Sequence, residues 1–195
     1  MLDELNNSLQ QIIEMTQLNW PILQNLFLIV WGAYLVTLIL PGLLLLGIVP
    51  RKLHGLTGLI FAPVLHANFN HLFFNSIPLI VLADFILINH SPLFIEITLI
   101  ITVLSGLGVW LFGQPGLHIG ASGLVTGYWG FLLFNAYQHS SLTNIILGFF
   151  SLYYFFGIFL GLFPGEKGVS WVGHVCGLLA GLAVAWSINQ GIITG

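Results

Sequence analysis

Between Glu96 and Glu166 the chain carries no Asp, Glu, Lys or Arg. Two further charge-free stretches run from Lys52 to Asp84 and from Lys167 to the C-terminus. A soluble chain of this size leaves much of its surface in water and spends about a quarter of its residues on charge. Here 5% of 195 residues are charged and 57% are hydrophobic, with mean hydropathy +1.02. Such stretches need lipid around them. The chain reads as an all-α polytopic membrane protein whose first partner is the bilayer.

The same scarcity excludes other classes. Three basic residues cannot form the electrostatic footprint that nucleic acid demands. A single cysteine, Cys176, allows no internal disulfide and argues against a Cys-based metal site. No H-E-x-x-H occurs, so the sequence asks for neither metal nor cofactor. Residues 1–20 contain Asp3, Glu4 and Glu14 without a basic stretch, unlike a cleavable signal. Leu2, Leu5, Leu9 and Ile12 or Ile13 recur at helical spacing there. Both a helix on the membrane surface and a plain solvated helix fit that pattern.

A span needs ~20 apolar residues, and apolar runs read against Gly and Pro breakers give six in residues 21–195. They are Pro21–Gly47 (with Pro41-Gly42 kinking or ending it), Phe69–Asn89, Pro92–Phe112, Ala121–Gln138, Leu142–Phe163 and Val169–Asn189. The segment Ile48–Asn68 is too broken to span and too apolar for a tether, which suits a half-embedded loop. Turns are expected at Gly113–Gly116 and at Pro164-Gly165-Glu166-Lys167-Gly168.

Six alternating spans start their second, fourth and sixth helices at one face. His71 and Asn75, Ser122, and His174 lie in the first two turns of those helices, ~2–8 Å deep at ~1.5 Å per residue. This describes a polar pocket just below one membrane surface. Ser122 sits in Gly120-Ala121-Ser122-Gly123, where small neighbours leave its oxygen accessible and a helix start offers unpaired N–H groups. The alternative is a serine that only caps the helix. Gly173, Gly177 and Gly181 form a ridge for close helix contact, as do Gly123, Gly127 and Gly130. Packing these ridges brings His174, beside the first of them, near Ser122. His71 and Asn75 share one helix face at i, i+4. They can complete an oxyanion hole with the Ser122 N–H or simply hydrogen-bond between helices. His66 reads as a loop brace, and His54, His90, His118 and His139 receive no role. No carboxylate lies at this depth, so a serine nucleophile there would have only His174 as its base.

Taken together, G-A-S-G at Gly120–Gly123, H-x-x-x-N at His71–Asn75 with His66 upstream, and G-H-x-x-G-x-x-x-G at Gly173–Gly181 resemble the rhomboid family of intramembrane serine proteases. The resemblance covers roughly residues 54–186. It implies a six-transmembrane-helix bundle in which Ser122 is the nucleophile and His174 the general base and acid. His71, Asn75 and the Ser122 backbone would hold the oxyanion, with Gly120 and Gly123 supporting the turn. Ser122 Oγ and the His174 ring are then expected within hydrogen-bond reach or slightly beyond it. Substrates would be single-span or polytopic membrane proteins, with a small residue on the acyl side of the cut. By the same resemblance the short N-terminal tail is cytoplasmic and the membrane is the bacterial inner membrane, although three basic residues placed outside run against the positive-inside rule. Two positions depart from the pattern. The first loop reads Arg51-Lys52-Leu53-His54 where many members have Trp-Arg. Thr126 stands where an aromatic ring often stacks on the histidine, leaving another group, such as Tyr128 or Trp171, to restrain it. Competing classes are a non-catalytic rhomboid-like binder of membrane segments, a histidine-lined transporter or metal site, and an aspartyl protease. The last would need two intramembrane Asp residues, and only Asp84 is available.

Overall fold

The computed structural model describes residues 2–139, 141–163 and 170–194, and among them helices and turns predominate with no named strand. Helix α1 covers Leu2–Ile39, α2 Gly58–Phe61, α3 Phe69–His90 and α4 Phe94–Phe112. Then follow α5 Ser122–Gln138, α6 Leu142–Tyr154, α7 Gly157–Leu160 and α8 Trp171–Asn189. Leu2–Ile39, the stretch Phe69–Phe112 holding α3 and α4, and α8 are long and apolar enough to cross a membrane. The remaining passes, α5 and the α6–α7 pair, are shorter.

Contacts at the helix ends fix the alternation. At one face, the Ile48 and His118 backbones pair with each other, Arg51 meets the end of α4, and His71 of α3 lies against Gly120. At the other, His90 at the end of α3 meets Asn135 near the end of α5. Asn135 in turn bonds Asn144 at the start of α6, whose neighbour Thr143 bonds Gln11 of α1. Ser170, just before α8, bonds His118, and Gly161, just after α7, bonds His174, so α3, α5 and α8 start at the first face, while α4 and α7 end there.

Three boundaries differ from the sequence reading. Helix α1 runs unbroken through Pro21, so the expected division at residues 20 and 21 falls inside one helix. Pro41 ends α1 near the expected place and opens a 3-10 turn over Pro41–Leu46. The fifth span is broken, with α6 ending at Tyr154 and α7 beginning at Gly157. The turn expected at Pro164–Gly168 lies outside the described residues.

The core is built from α3, α4, α5 and α8. Leu72, Leu82, Ile86, Ile97, Ile101, Tyr128, Phe131 and Val184 are buried there. Large apolar side chains remain exposed on α1 and α6, among them Ile29, Leu35, Phe149 and Tyr153. On a bundle solvated by lipid, such a surface costs nothing. Helix α1 is fastened by polar ties as well: Thr16 Oγ1 and Asn19 Nδ2 donate to the Asp84 carboxylate at 2.6 and 2.9 Å, and the Trp31 indole donates to Ser76 Oγ at 3.0 Å.

The contact between α5 and α8 sets the site. Their backbones touch along the two glycine ridges. A Cβ at Gly177 would fall on the Gly123 carbonyl and on Thr126 Oγ1, and one at Gly181 would fall on the Gly127 carbonyl. One at Gly130 would stand 2.8 Å from Leu178 Cδ1 and 2.9 Å from its carbonyl oxygen.

The segment over residues 48–68 is pinned to α4. Arg51, with φ of 59°, donates from Nη1 to the Leu111 and Gly113 carbonyls at 3.1 and 3.0 Å. The Trp110 indole donates back to the Lys52 carbonyl at 2.9 Å. Helix-end carbonyls lack intrahelical donors, and a guanidinium there satisfies them and meets the negative end of the dipole. Arg51 thus anchors this loop without a Trp-Arg pair.

Candidate active site

Local chemistry explains how each polar group is presented. Helix α3 begins where Asn68 Oδ1 accepts the His71 N–H at 2.9 Å, and α8 begins where Ser170 Oγ accepts the Gly173 N–H at 3.2 Å. These caps aim the first turns of both helices at one place. Helix α5 begins differently. Its N-cap is Ala121, no side chain caps it, and Ser122 is its first residue. The capping alternative for Ser122 therefore fails, and its hydroxyl is left for the cavity. The chain enters α5 through Gly120 at φ +112°. A Cβ there would stand 2.5 Å from His71 Nε2, so glycine serves both the backbone conformation and the close approach of the ring.

Ser122, His174, His71 and Asn75 all line one cavity of about 740 Å³. All four side chains are half-buried. The Ser122 N–H lies in the first turn of α5, where a helix supplies no partner. Asn75 Nδ2 donates one hydrogen to the His71 carbonyl at 2.8 Å, and its amide carries a second. Ser122 Oγ forms no hydrogen bond with the His174 ring among the described residues. The two line the same cavity, on the helices that the glycine ridges pack together, without the closed contact.

His174 is held from elsewhere. Its Nδ1 lies 2.8 Å from the Gly161 carbonyl oxygen, beyond the end of α7. Neither Tyr128 nor Trp171 is seen to perform this restraint. Tyr128 is fully buried with its hydroxyl 2.6 Å from Thr98 Oγ1, while Trp171 lines a separate depression beside Gln114 and Pro115. Thr126, in the position expected of an aromatic, donates to the Ser122 and Gly123 carbonyls at 3.0 and 2.9 Å. It ties down the first turn of α5.

His66 braces more than its loop. It is 1% exposed, accepts the Ala121 N–H through Nε2 at 3.4 Å, and packs edge-on to His71 with ring centroids 5.0 Å apart. Burial pushes its pKa down to about 4, the neighbouring His71 adds to this, and the Val64 backbone opposes it only in part. His66 is therefore neutral, as an acceptor at Nε2 must be.

Two cavity-lining residues had no role in the sequence reading. His118 lies 3.1 Å through Nδ1 from Ser170 Oγ, and its Nε2 lies 2.8 Å from the Gln114 carbonyl. Both His118 and Ser170 line the main cavity and a smaller one of about 50 Å³ behind Ser122, which Thr102 and Ser105 also line. That volume and polarity suit water. Ser170 carried a readable signal, a serine just before an apolar helix. The Gly161 carbonyl carried none. Among the described residues no cluster of His, Cys, Asp and Glu is arranged to hold a metal ion.

The Rhomboid domain family model matches residues 53–190. Uncharacterized proteins of Mycobacterium tuberculosis and Mycobacterium bovis are each 43% identical over 152 residues, covering 73% of this chain and 63% of theirs. One from Mycobacterium leprae is 39% identical over 153 residues, covering 73% of this chain and 60% of its own. The match thus spans about three fifths of the length of these relatives.

Proposed function

Because the chain belongs to the rhomboid family, we propose that this integral membrane protein is an intramembrane serine endopeptidase. The observation that carries the reading is the convergence of Ser122, His174, His71 and Asn75 on one cavity. Ser122 Oγ attacks a substrate carbonyl carbon while His174 Nε2 takes the hydroxyl proton. The oxyanion accepts hydrogen bonds from the Ser122 N–H, His71 and Asn75. His174 then delivers its proton to the leaving amine, giving an acyl-enzyme that water hydrolyses with His174 as base. Closure of the Ser122–His174 contact on substrate binding fits this scheme, since catalytic hydrogen bonds commonly tighten in the Michaelis complex.

Substrates are single-span or polytopic membrane proteins cut near the membrane surface. Their scissile segment must unwind, because a helical carbonyl is already hydrogen-bonded and shielded. By family likeness the N-terminus is cytoplasmic and the membrane is the bacterial plasma membrane. The test is cleavage of a single-span substrate in detergent by wild type, Ser122→Ala and His174→Ala, with and without chelator. Loss of cleavage in both variants and indifference to chelator are expected. Undiminished cleavage by Ser122→Ala would end the serine-protease reading.

A further inference from the structure

A histidine base needs its second nitrogen occupied. Otherwise the proton moves freely between Nδ1 and Nε2, and the tautomer with Nε2 protonated cannot take a proton from serine. In a triad a carboxylate fixes the tautomer, but among the described residues no carboxylate bonds His174. The partner present is the Gly161 carbonyl oxygen, 2.8 Å from Nδ1. A carbonyl only accepts, so Nδ1 must carry the hydrogen and Nε2 must present its lone pair to the cavity.

Two further features make this contact specific. Gly161 follows the last turn of α7, where carbonyls lack helical donors. A side chain at residue 161 would exclude the imidazole: its Cβ would stand 2.6 Å from Nδ1 and 3.0 Å from Cε1. Ile158 of α7 packs against the core while its other three residues are exposed, so the turn that presents this carbonyl is seated through one side chain.

Resting on the protease reading above, we propose that the Gly161 backbone carbonyl is the positioning group of the catalytic array, replacing both a triad carboxylate and a stacking aromatic. When Ser122 transfers its proton to Nε2, the resulting imidazolium keeps Nδ1–H on Gly161. Return of the Nε2 proton to the leaving amine restores the same neutral tautomer. The carbonyl neither gains nor loses a proton.

The test uses the full chain in detergent with 15N-labelled histidine, the His174 signals being identified by their loss in His174→Gln. Wild type is expected to show Nδ1 protonated and Nε2 of the unprotonated type. In Gly161→Ala that preference should be lost, and labelling of Ser122 by a fluorophosphonate should slow by roughly 10–100-fold. Cleavage by Gly161→Ala should show a lower kcat with KM within about twofold. The wild-type spectrum decides the tautomer even if the variant fails to fold. A wild-type His174 protonated on Nε2 would overturn the proposal, as would a folded Gly161→Ala with unchanged tautomer and labelling. Cleavage that survives Ser122→Ala would instead remove the protease reading, leaving the tautomer to decide the Gly161 contact alone.

Discussion

Gly177→Ala adds one methyl group at a point of backbone contact between the helices that carry Ser122 and His174. The new Cβ would overlap the Gly123 carbonyl and Thr126 Oγ1. Ordinary contact begins at 3.4 Å, so α5 and α8 would have to separate by roughly 1 Å at this crossing. A backbone carbonyl has no rotamer to yield, which puts the cost near the upper end for overpacking, about 3 kcal/mol. Alanine recovers about 1 kcal/mol of helix propensity. The net loss of about 2 kcal/mol corresponds to a melting point lower by roughly 4–8 °C in a chain of this size. Thr126 bonds the Ser122 and Gly123 carbonyls, so displacing it also shifts the first turn of α5. A misplacement near 1 Å can cost about 100-fold in rate. Gly32→Ala is the matched control, since nothing lies within 4 Å of its added Cβ. It should leave cleavage unchanged and stability equal or higher. Thermal unfolding in detergent and fluorophosphonate labelling read both effects. If Gly177→Ala melts and labels like Gly32→Ala, backbone contact between α5 and α8 does not set the site.

Three other outcomes are expected. Arg51→Ala removes two hydrogen bonds from the end of α4 and should destabilise by about 1 kcal/mol, seen as a lower melting point and faster proteolysis of the Ile48–Asn68 loop. His66 is neutral when folded, with its pKa lowered from 6.5 to about 4. As pH falls below 6.5 the unfolded chain binds the extra proton first, so stability present above that pH is lost on acidification and levels off below about 4. The loss reaches roughly 2 kcal/mol by about pH 5, and pH-dependent melts of His66→Gln should lack that component. Asn19→Leu deprives the buried Asp84 carboxylate of one of two donors and should cost about 1–3 kcal/mol, measured by urea or thermal unfolding in detergent.

The parts of this protein legible in the sequence are those set by periodicity and residue size. The starts of α3, α4 and α5 fall close to the apolar runs that announced them, and both glycine ridges do meet. The first apolar run was read from Pro21, yet α1 begins at Leu2 and continues through that proline. The break between Tyr154 and Gly157 left no mark, since Tyr-Tyr-Phe-Phe is as apolar as the helix around it. The restraint on His174 was sought among side chains because only side chains differ from one sequence to another. It comes from a backbone carbonyl, which every residue owns, and only tertiary placement singles out Gly161. The loop anchor has a similar origin: Arg51 was readable as a charge, but the carbonyls it caps belong to α4, some sixty residues away.

The glycine contact between α5 and α8 also bears on how the protein meets bilayers of different thickness. Helices absorb part of a hydrophobic mismatch by tilting or kinking. Two helices joined backbone to backbone cannot tilt independently without prising carbonyl from Cα, so α5 and α8 follow the membrane as one body. Adjustment then falls on elements outside this pair. The distance between Ser122 and the α8 backbone beneath His174 is thereby insulated from the thickness of the lipid around it.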